Sequence, residues 1–119
     1  MEILNIELEE KESRDVYFYP KDPTTNLPLE LDGYVGIFQV RPQFGSPSLM
    51  LEFTTEGSNM TLDSRAGRIT VYFDPEHTDQ SAVQVGWTRG VYDLILVDDS
   101  GYRVKLYKGF ITIARSAAL

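Results

Sequence analysis

The sequence predicts an all-β fold in which two antiparallel sheets pack as a sandwich. Apolar and polar residues alternate in a series of short runs, and this period of two is that of a strand with one buried face. Turn-forming Gly, Pro, Asp and Asn separate the runs at regular intervals, and only one segment has the features of a helix. A chain of 119 residues makes one domain, so we predict a single β-sandwich domain over 1–119.

The longest predicted element is an antiparallel hairpin over residues 90–115. Its turn is Asp98–Gly101, with Asp at the first position and Gly where φ must be positive. The first limb is predicted to place Tyr92, Leu94 and Leu96 on one face and Val91, Asp93 and Ile95 on the other. The return limb is predicted to place Tyr102, Val104 and Leu106 on one face and Arg103, Lys105 and Tyr107 on the other. Gly109 interrupts this limb, which indicates a bulge or a close approach of another backbone.

The N-terminal third predicts two strands and a loop. Residues 3–9 have a period of two, which favours a strand with Leu4, Ile6 and Leu8 inward over a helix ending at Glu12. Residues 16–19 form a short second strand rich in aromatics. Three prolines bracket the polar loop 20–28, which we expect to be exposed, with Leu31 as its apolar anchor.

Four further strands are predicted at 35–41, 49–53, 60–62 and 68–73. Segment 74–84 is predicted to form a helix of one or two turns, with Asp74 as N-cap and Pro75 at its first position. The total of seven to eight strands with one short helix is typical of an immunoglobulin-like sandwich. The predicted core is the apolar phase of these strands: Phe38, Val40, Leu51, Phe53, Ile69, Val71, Leu94, Leu96 and Val104.

Composition excludes several classes of function. Eighteen acidic residues against eleven basic ones give a net charge of -7, which argues against binding to a nucleic-acid backbone. The absence of cysteine excludes disulfides and thiolate metal sites. No apolar run approaches the roughly 20 residues of a membrane span. The acidic N-terminus does not resemble a signal peptide, so we expect a soluble protein made in a cytoplasm, with no nucleic-acid or membrane partner.

One triplet raises the possibility of catalysis. Asp99, Ser100 and Gly101 match the Asp-Ser/Thr-Gly triplet of aspartic proteases, in which two carboxylates share one proton across a dimer. In that family apolar residues precede the Asp and a small residue follows the Gly, whereas Asp98 and Tyr102 flank the triplet here. A hairpin turn needs the same residues for backbone reasons alone. The sequence therefore favours a turn, and we assign no catalytic residue and no enzymatic activity.

A second cluster contains the residue types that bind metals. Asp74, Glu76, His77 and Asp79 are closely spaced, but a zinc site would need more nitrogen or sulfur, and the chain has one histidine. Acidic residues in the first turn of a helix compensate its dipole and account for the same pattern. We therefore predict no metal and no cofactor.

Several aromatic residues offer an alternative binding function. Trp87 with Tyr17, Tyr19, Tyr34 and Tyr72 could form a platform on which sugars stack. Aromatic residues in β-sandwiches more often belong to the core or to cross-strand pairs. A host glycan is thus the less favoured partner.

Over nearly its full length the chain combines an N-terminal strand, a Pro-rich loop and then the motifs LDGYVGIFQVRP, LMLEFTTE, DSRAGRITVYF and GVYDLILVDDSGYRVKLYKGFITI. With these features in this order, it resembles a family of small β-sandwich proteins encoded among the virion genes of tailed bacteriophages. The family includes collar proteins that help to attach long tail fibres. The resemblance implies a structural protein of the virion tail region, without catalytic residues, whose partners are other virion proteins and copies of itself. A capsid decoration protein, a head-tail neck protein and a carbohydrate-binding module are the alternatives.

Two predicted strands are apolar on both phases, which predicts a candidate interface. The phase that should face solvent carries Val35, Ile37, Val91, Ile95 and Val97. Strands of this kind are covered on both sides. The cover is either an intermolecular partner or a segment of this chain, namely the loop 20–28 or the segment 74–84.

Overall fold

The computed structural model describes residues 1–78 and 89–114, and within them it contains nine strands and one short helix. The strands are β1 (Glu2–Ile3), β2 (Ile6–Glu9), β3 (Arg14–Phe18), β4 (Val35–Arg41), β5 (Leu51–Thr54), β6 (Met60–Asp63), β7 (Arg68–Phe73), β8 (Arg89–Val97) and β9 (Arg103–Ala114), and the helix α1 (Pro75–Thr78) lies between β7 and β8. β1 and β2 together correspond to the single N-terminal strand that the sequence predicts over residues 3–9. Of the predicted helix 74–84, residues 79–84 lie outside the described residues.

The strands form two sheets that pack face to face, which confirms the predicted all-β sandwich. The six-stranded sheet has the order β1-β9-β8-β4-β5, with β2 also paired to β9, and the three-stranded sheet has the order β3-β7-β6. If β3, β7 and β6 are taken as strands B, E and D, then β5, β4, β8 and β9 are C′, C, F and G. This is the strand order of an immunoglobulin-like sandwich.

The sandwich is not purely antiparallel, and in this respect the prediction was wrong. Both β1 and β2 run parallel to β9, with Ile6 opposite Ile111 and Leu8 opposite Ile113. Parallel neighbours need a long connection, and here almost the whole domain lies between the two strands. A parallel pair cannot be inferred from the period of two, because that period is the same in both kinds of sheet.

The N-terminal strand is broken at Leu4 and Asn5. Ile6 and Leu8 are buried as predicted, but Leu4 is 40% exposed, so its predicted inward position was wrong. The Asn5 side-chain oxygen accepts a hydrogen bond from the Phe110 amide at 3.0 Å, and this bond replaces a backbone ladder bond. The predicted close approach at Gly109 is confirmed, because a Cβ added there would collide with the Leu4 carbonyl.

The core is a layer of aromatic rings between the sheets. Phe38 stacks on Tyr92 with ring centroids 5.1 Å apart, and Phe73 of the smaller sheet meets the edge of Phe38 at 5.8 Å. Phe18, also from the smaller sheet, lies 4.9 Å from Tyr107. These contacts hold the sheets together where a disulfide is impossible. Of the predicted core, the following are buried: Phe38, Val40, Phe53, Ile69, Val71, Leu94 and Leu96.

Leu51 and Val104, also predicted as core, are only half-buried. Leu51 belongs to β5, which ends the larger sheet and has a neighbour on one side only. Val104 lies next to the turn of the hairpin, opposite Leu96. Both side chains lie on the predicted phase, opposite buried residues, and Leu51 packs against the core cluster.

The hairpin is confirmed, with one shift of register. Leu94 pairs with Tyr107 and the next residue, Ile95, pairs with Lys105, so Leu106 is an extra residue in β9. A bulge of this kind reverses the phase of the strand beyond it. Tyr107 is therefore buried, whereas the sequence pattern predicts it on the same face as Arg103 and Lys105.

The loop 20–28 is mostly exposed, as predicted, and a single bridge between Lys21 and Pro28 closes it. The Asp22 carboxylate accepts a hydrogen bond from the Thr24 amide at 2.8 Å, which stabilises its turn. Leu31 is 1% exposed, which confirms it as the anchor of this loop.

Candidate functional site

The outer face of the larger sheet brings four of the five predicted interface residues together. Val35 lies opposite Val97 and Ile37 lies opposite Ile95, so these pairs form neighbouring rungs of β4 and β8 on one face. Val91 is separated from them by the rung of Gln39 and Asp93. The predicted residues therefore form one cluster of four and one isolated member.

Burial limits what this cluster can offer to a partner. Ile95 is 2% exposed and Val91 is 5% exposed, whereas Val35, Ile37 and Val97 are half-buried. The prediction that β8 is covered on both faces is confirmed. Because Ile95 and Val91 are already closed off within one copy of the chain, they leave little area for a second molecule. The docking role of the five residues stays a prediction.

A more exposed apolar cluster on the same face was missed in the sequence. Phe44, in the loop after β4, is 50% exposed, and Phe110 of β9 is 42% exposed. Their ring centroids lie 6.4 Å apart. The Arg89 guanidinium is 4.7 Å from the Phe110 centroid, and the Lys108 ammonium is 5.6 Å from that of Phe44. We call these four residues the Phe44–Phe110 patch. The sequence contains one signal of this patch: Phe110 lies two residues from Lys108 and two from Thr112. With the bulge in β9, these three residues lie on the outward-facing, polar phase of the strand.

The charge of this face differs from that of the rest of the chain. The strand registers place five basic residues on it, Arg41, Arg89, Arg103, Lys105 and Lys108, and four acidic ones, Glu7, Glu9, Glu52 and Asp93. The face therefore has a net charge of +1, and since the chain carries -7, the remainder carries -8. The cations held over the exposed phenyl rings are attracted by the ring faces, and their charge is complementary to that of an acidic surface.

The Asp-Ser-Gly triplet lies in a tight hairpin turn. The Asp98 carboxylate accepts hydrogen bonds from the Ser100 hydroxyl at 2.7 Å and from the Ser100 and Tyr102 amides at 2.9 Å. These bonds, that of the Ser100 hydroxyl foremost, lower the pKa of Asp98. Gly101 has a φ of 89° and Asp99 is exposed. The turn is thus organised by the carboxylate of Asp98, and this residue lies outside the protease triplet.

The cluster at α1 brings three of its four predicted members together. Ligand atoms of Asp74, Glu76 and His77 lie within 4.8 Å of one another, and Asp79 lies outside the described residues. His77 Nδ1 accepts a hydrogen bond from the Asp74 amide at 2.9 Å, so Nε2 carries the proton of the neutral ring. Metal-binding histidines show the opposite arrangement, with the second nitrogen donating its proton. The geometry favours a structural histidine, whose ring packs on Phe53 at 4.9 Å.

The predicted aromatic platform is divided between two environments. Tyr17 is 47% exposed and Tyr19 is 55% exposed, beside the outer face of the smaller sheet. The guanidinium of Arg68 lies 5.2 Å from the Tyr17 ring centroid, over the surface on which a sugar would stack. Tyr34 packs against the core, Tyr72 is half-buried, and Trp87 lies outside the described residues.

No protein family and no curated protein matches the chain. Within residues 1–78 and 89–114, no helix is long and apolar enough to span a membrane.

Proposed function

We propose that the chain is a non-enzymatic structural protein of a tailed-bacteriophage virion, an adaptor in the tail-fibre attachment (collar) region that acts by docking to other proteins. The observation that carries the docking role is the Phe44–Phe110 patch, in which two phenyl rings remain about half exposed under cations. Surfaces with exposed aromatic residues and arginine are enriched at protein interfaces. The virion assignment is supported by the sequence motifs that resemble the collar family over nearly the full length of the chain.

The geometry of the turn and of the helix cap supports the non-enzymatic part of this proposal. The Ser100 hydroxyl of the triplet donates to Asp98 and Gly101 has the positive φ of a turn, while Nδ1 of His77 accepts a backbone amide, so these groups already have structural roles. We expect no peptidase activity, and pepstatin-sensitive cleavage by the purified chain would contradict this expectation.

The decisive experiment is made on the phage that encodes the chain. Mass spectrometry of purified particles is expected to detect the protein, and an amber mutation in its gene is expected to give particles without attached tail fibres. Absence from purified particles would overturn the proposal. Localisation to the head or neck by cryo-electron microscopy would favour a decoration or neck protein instead.

A carbohydrate-binding module is the second candidate, and Tyr17 with Tyr19 is the observation that favours it. Binding on a glycan array that is lost in Tyr17→Ala would support it over docking. Because Arg68 already covers the ring of Tyr17, we expect no such binding.

A further inference from the structure

The Phe44–Phe110 patch needs a complementary surface, and the chain itself has one. An open groove of about 290 Å³ runs along the side of the sandwich between β2 and β3. Leu4 and Val16 supply apolar lining, Tyr17 adds a ring that Arg68 covers on one face, and Glu7 and Asp15 supply carboxylates. Arg14 is the basic residue in this lining, so the groove has a net negative charge. We call it the β2–β3 groove.

We propose that the Phe44–Phe110 patch of one copy of the chain docks into the β2–β3 groove of a second copy, an inference that rests on the proposed docking function. The phenyl rings enter the apolar part of the groove, and Arg89 and Lys108 approach its carboxylates. Apolar insertion supplies affinity, and opposite charge fixes orientation and excludes other surfaces.

The charge distribution favours a second copy as the occupant. Glu7 lines the groove, and when it is counted there the other charged residues of the patch's face have a net charge of +2, while the remainder of the same chain, the groove included, carries -9. Each copy therefore presents both a surface with an excess of cations and a larger surface with an excess of carboxylates. Docking of one upon the other reduces the repulsion that a uniformly acidic chain would have with itself.

The position of the groove also permits a reciprocal contact. A smaller pocket of about 180 Å³ links the two surfaces, since Arg89 and Phe110 line it together with Asn5 and Glu7 of the β2 edge. The patch and the groove thus adjoin each other around β2. In a two-fold arrangement each copy can place its rings in the groove of the other, which is the isologous contact typical of dimers.

The test is the mass of the purified full-length chain in solution, measured by sedimentation over a range of concentrations at low and high salt. The wild type is expected to form dimers as concentration rises, and salt is expected to weaken them. Phe110→Ala and Phe44→Ala are each expected to lower the association constant about tenfold or more. Tyr102→Ala is the matched control, because this aromatic is 67% exposed in the hairpin turn, outside the patch.

A charge pair at Leu4 tests the groove side. Leu4 lines the groove and is 40% exposed, so either charged side chain fits without being buried. Leu4→Lys would face Arg89 and Lys108 of the other copy, whereas Leu4→Glu would attract them. We expect association of Leu4→Lys to be about tenfold or more weaker than that of Leu4→Glu. Equal association of the two variants would overturn the groove as the docking site.

The outcomes separate this inference from the proposed function. A wild type that stays monomeric at every concentration, or dimers that survive Phe44→Ala and Phe110→Ala, overturn the contact between copies. If such a chain is still found in purified particles, the virion role stands without this contact. A dimer that behaves as expected but is absent from particles supports the contact and overturns the virion role. Melting curves of all variants show that the fold is retained.

Discussion

The hydroxyl group of Tyr92 donates a hydrogen bond to the backbone carbonyl of Leu4, 88 residues away in sequence. Tyr92 lies on β8 and Leu4 follows β1, so the side chain has to cross the intervening strand β9. The residue that Tyr92 faces on β9 is Gly109. Because Gly109 has no side chain, the tyrosine ring passes over it and fixes the N-terminal strands to the sheet.

Gly109→Ala tests this arrangement. An added Cβ would overlap the Leu4 carbonyl and approach the Asn5 side-chain oxygen at 3.0 Å, so the N-terminal segment would have to move away from β9. We expect the free energy of unfolding to fall by about 1–3 kcal/mol, and limited proteolysis to cut the N-terminal segment sooner.

The matched control is Gly57→Ala. The nearest atom to a Cβ at Gly57 is the Thr54 carbonyl oxygen at 3.6 Å, an ordinary contact distance. Equal stability of the Gly109 and Gly57 variants in urea would contradict the close approach.

Tyr92→Phe isolates the hydroxyl group. The ring stays in the core, but the Leu4 carbonyl loses its donor from Tyr92, which is expected to cost about 1–3 kcal/mol. Urea unfolding at neutral pH measures this difference. A loss no larger than that of Tyr72→Phe, whose hydroxyl is on the surface beside Thr61, would show that the bond contributes little.

The same residue predicts a response to alkaline pH. Burial, and after it the charges of Tyr107 and Asp93, raises the pKa of Tyr92 above its ordinary value of 10.0. Because the pKa is higher in the folded than in the unfolded chain, the stabilisation is full below about pH 10 and is lost as the pH rises towards the folded value. Tyr92→Phe lacks this contribution. Its stability is therefore expected to fall less than that of the wild type between pH 9 and 11.

Gly101→Val tests the hairpin turn. Gly101 has a φ of 89°, a region that a β-branched residue enters only with strain, so we expect a loss of roughly 1 kcal/mol or more. Asp99→Asn is the control, because the Asp99 side chain is exposed and Asn is equally compatible with a turn. Thermal melting distinguishes the two. If the wild type had peptidase activity and Asp99→Asn lacked it, the result would support the protease interpretation instead.

Leu94→Ala tests the core at its centre. Leu94 is 0% exposed and pairs with Phe38 and Tyr107 on the inner face of the larger sheet. The lost burial and the cavity together are expected to cost about 2–5 kcal/mol. Leu27→Ala is the control, since Leu27 is 63% exposed in the loop 20–28. An unchanged melting temperature for Leu94→Ala would mean that the inner face is wrongly assigned.

Local sequence patterns were sufficient to predict the strands. They were not sufficient to predict which strands pair with each other in the sheet. The alternation around Phe38 gives the buried face directly, because every second residue of β4 is buried. The glycine at position 109 indicated a close approach but not that Leu4 makes it. That contact depends on a parallel pairing between the two ends of the chain, which no local pattern records.

The exposed patch was missed for a related reason. Leu106 is an extra residue in β9, but the residue types around it do not change. The alternation of apolar and polar residues therefore continues as if the strand were regular. Only the bulge shows that Phe110 faces outward beside Lys108 and Tyr107 inward. The apolar residues Ile95 and Val91, by contrast, were recognised on the outer phase, but sequence alone could not tell whether one copy of the chain already buries them.

Ile95→Lys measures how completely this outer position is closed. Ile95 is 2% exposed, so a lysine there would place an ammonium group in a buried site beside Ile37 and Lys105. A buried charge without a partner is expected to cost about 3 kcal/mol or more, whereas Ile95→Val should cost about 0.5–1.5 kcal/mol. Burial lowers the pKa of such a lysine, so the loss should be greatest at low pH and should shrink as the pH rises above that folded pKa. Urea unfolding of both variants at several pH values gives the measurement. If Ile95→Lys is as stable as Ile95→Val, the position is open to solvent and Ile95 is again available to a partner.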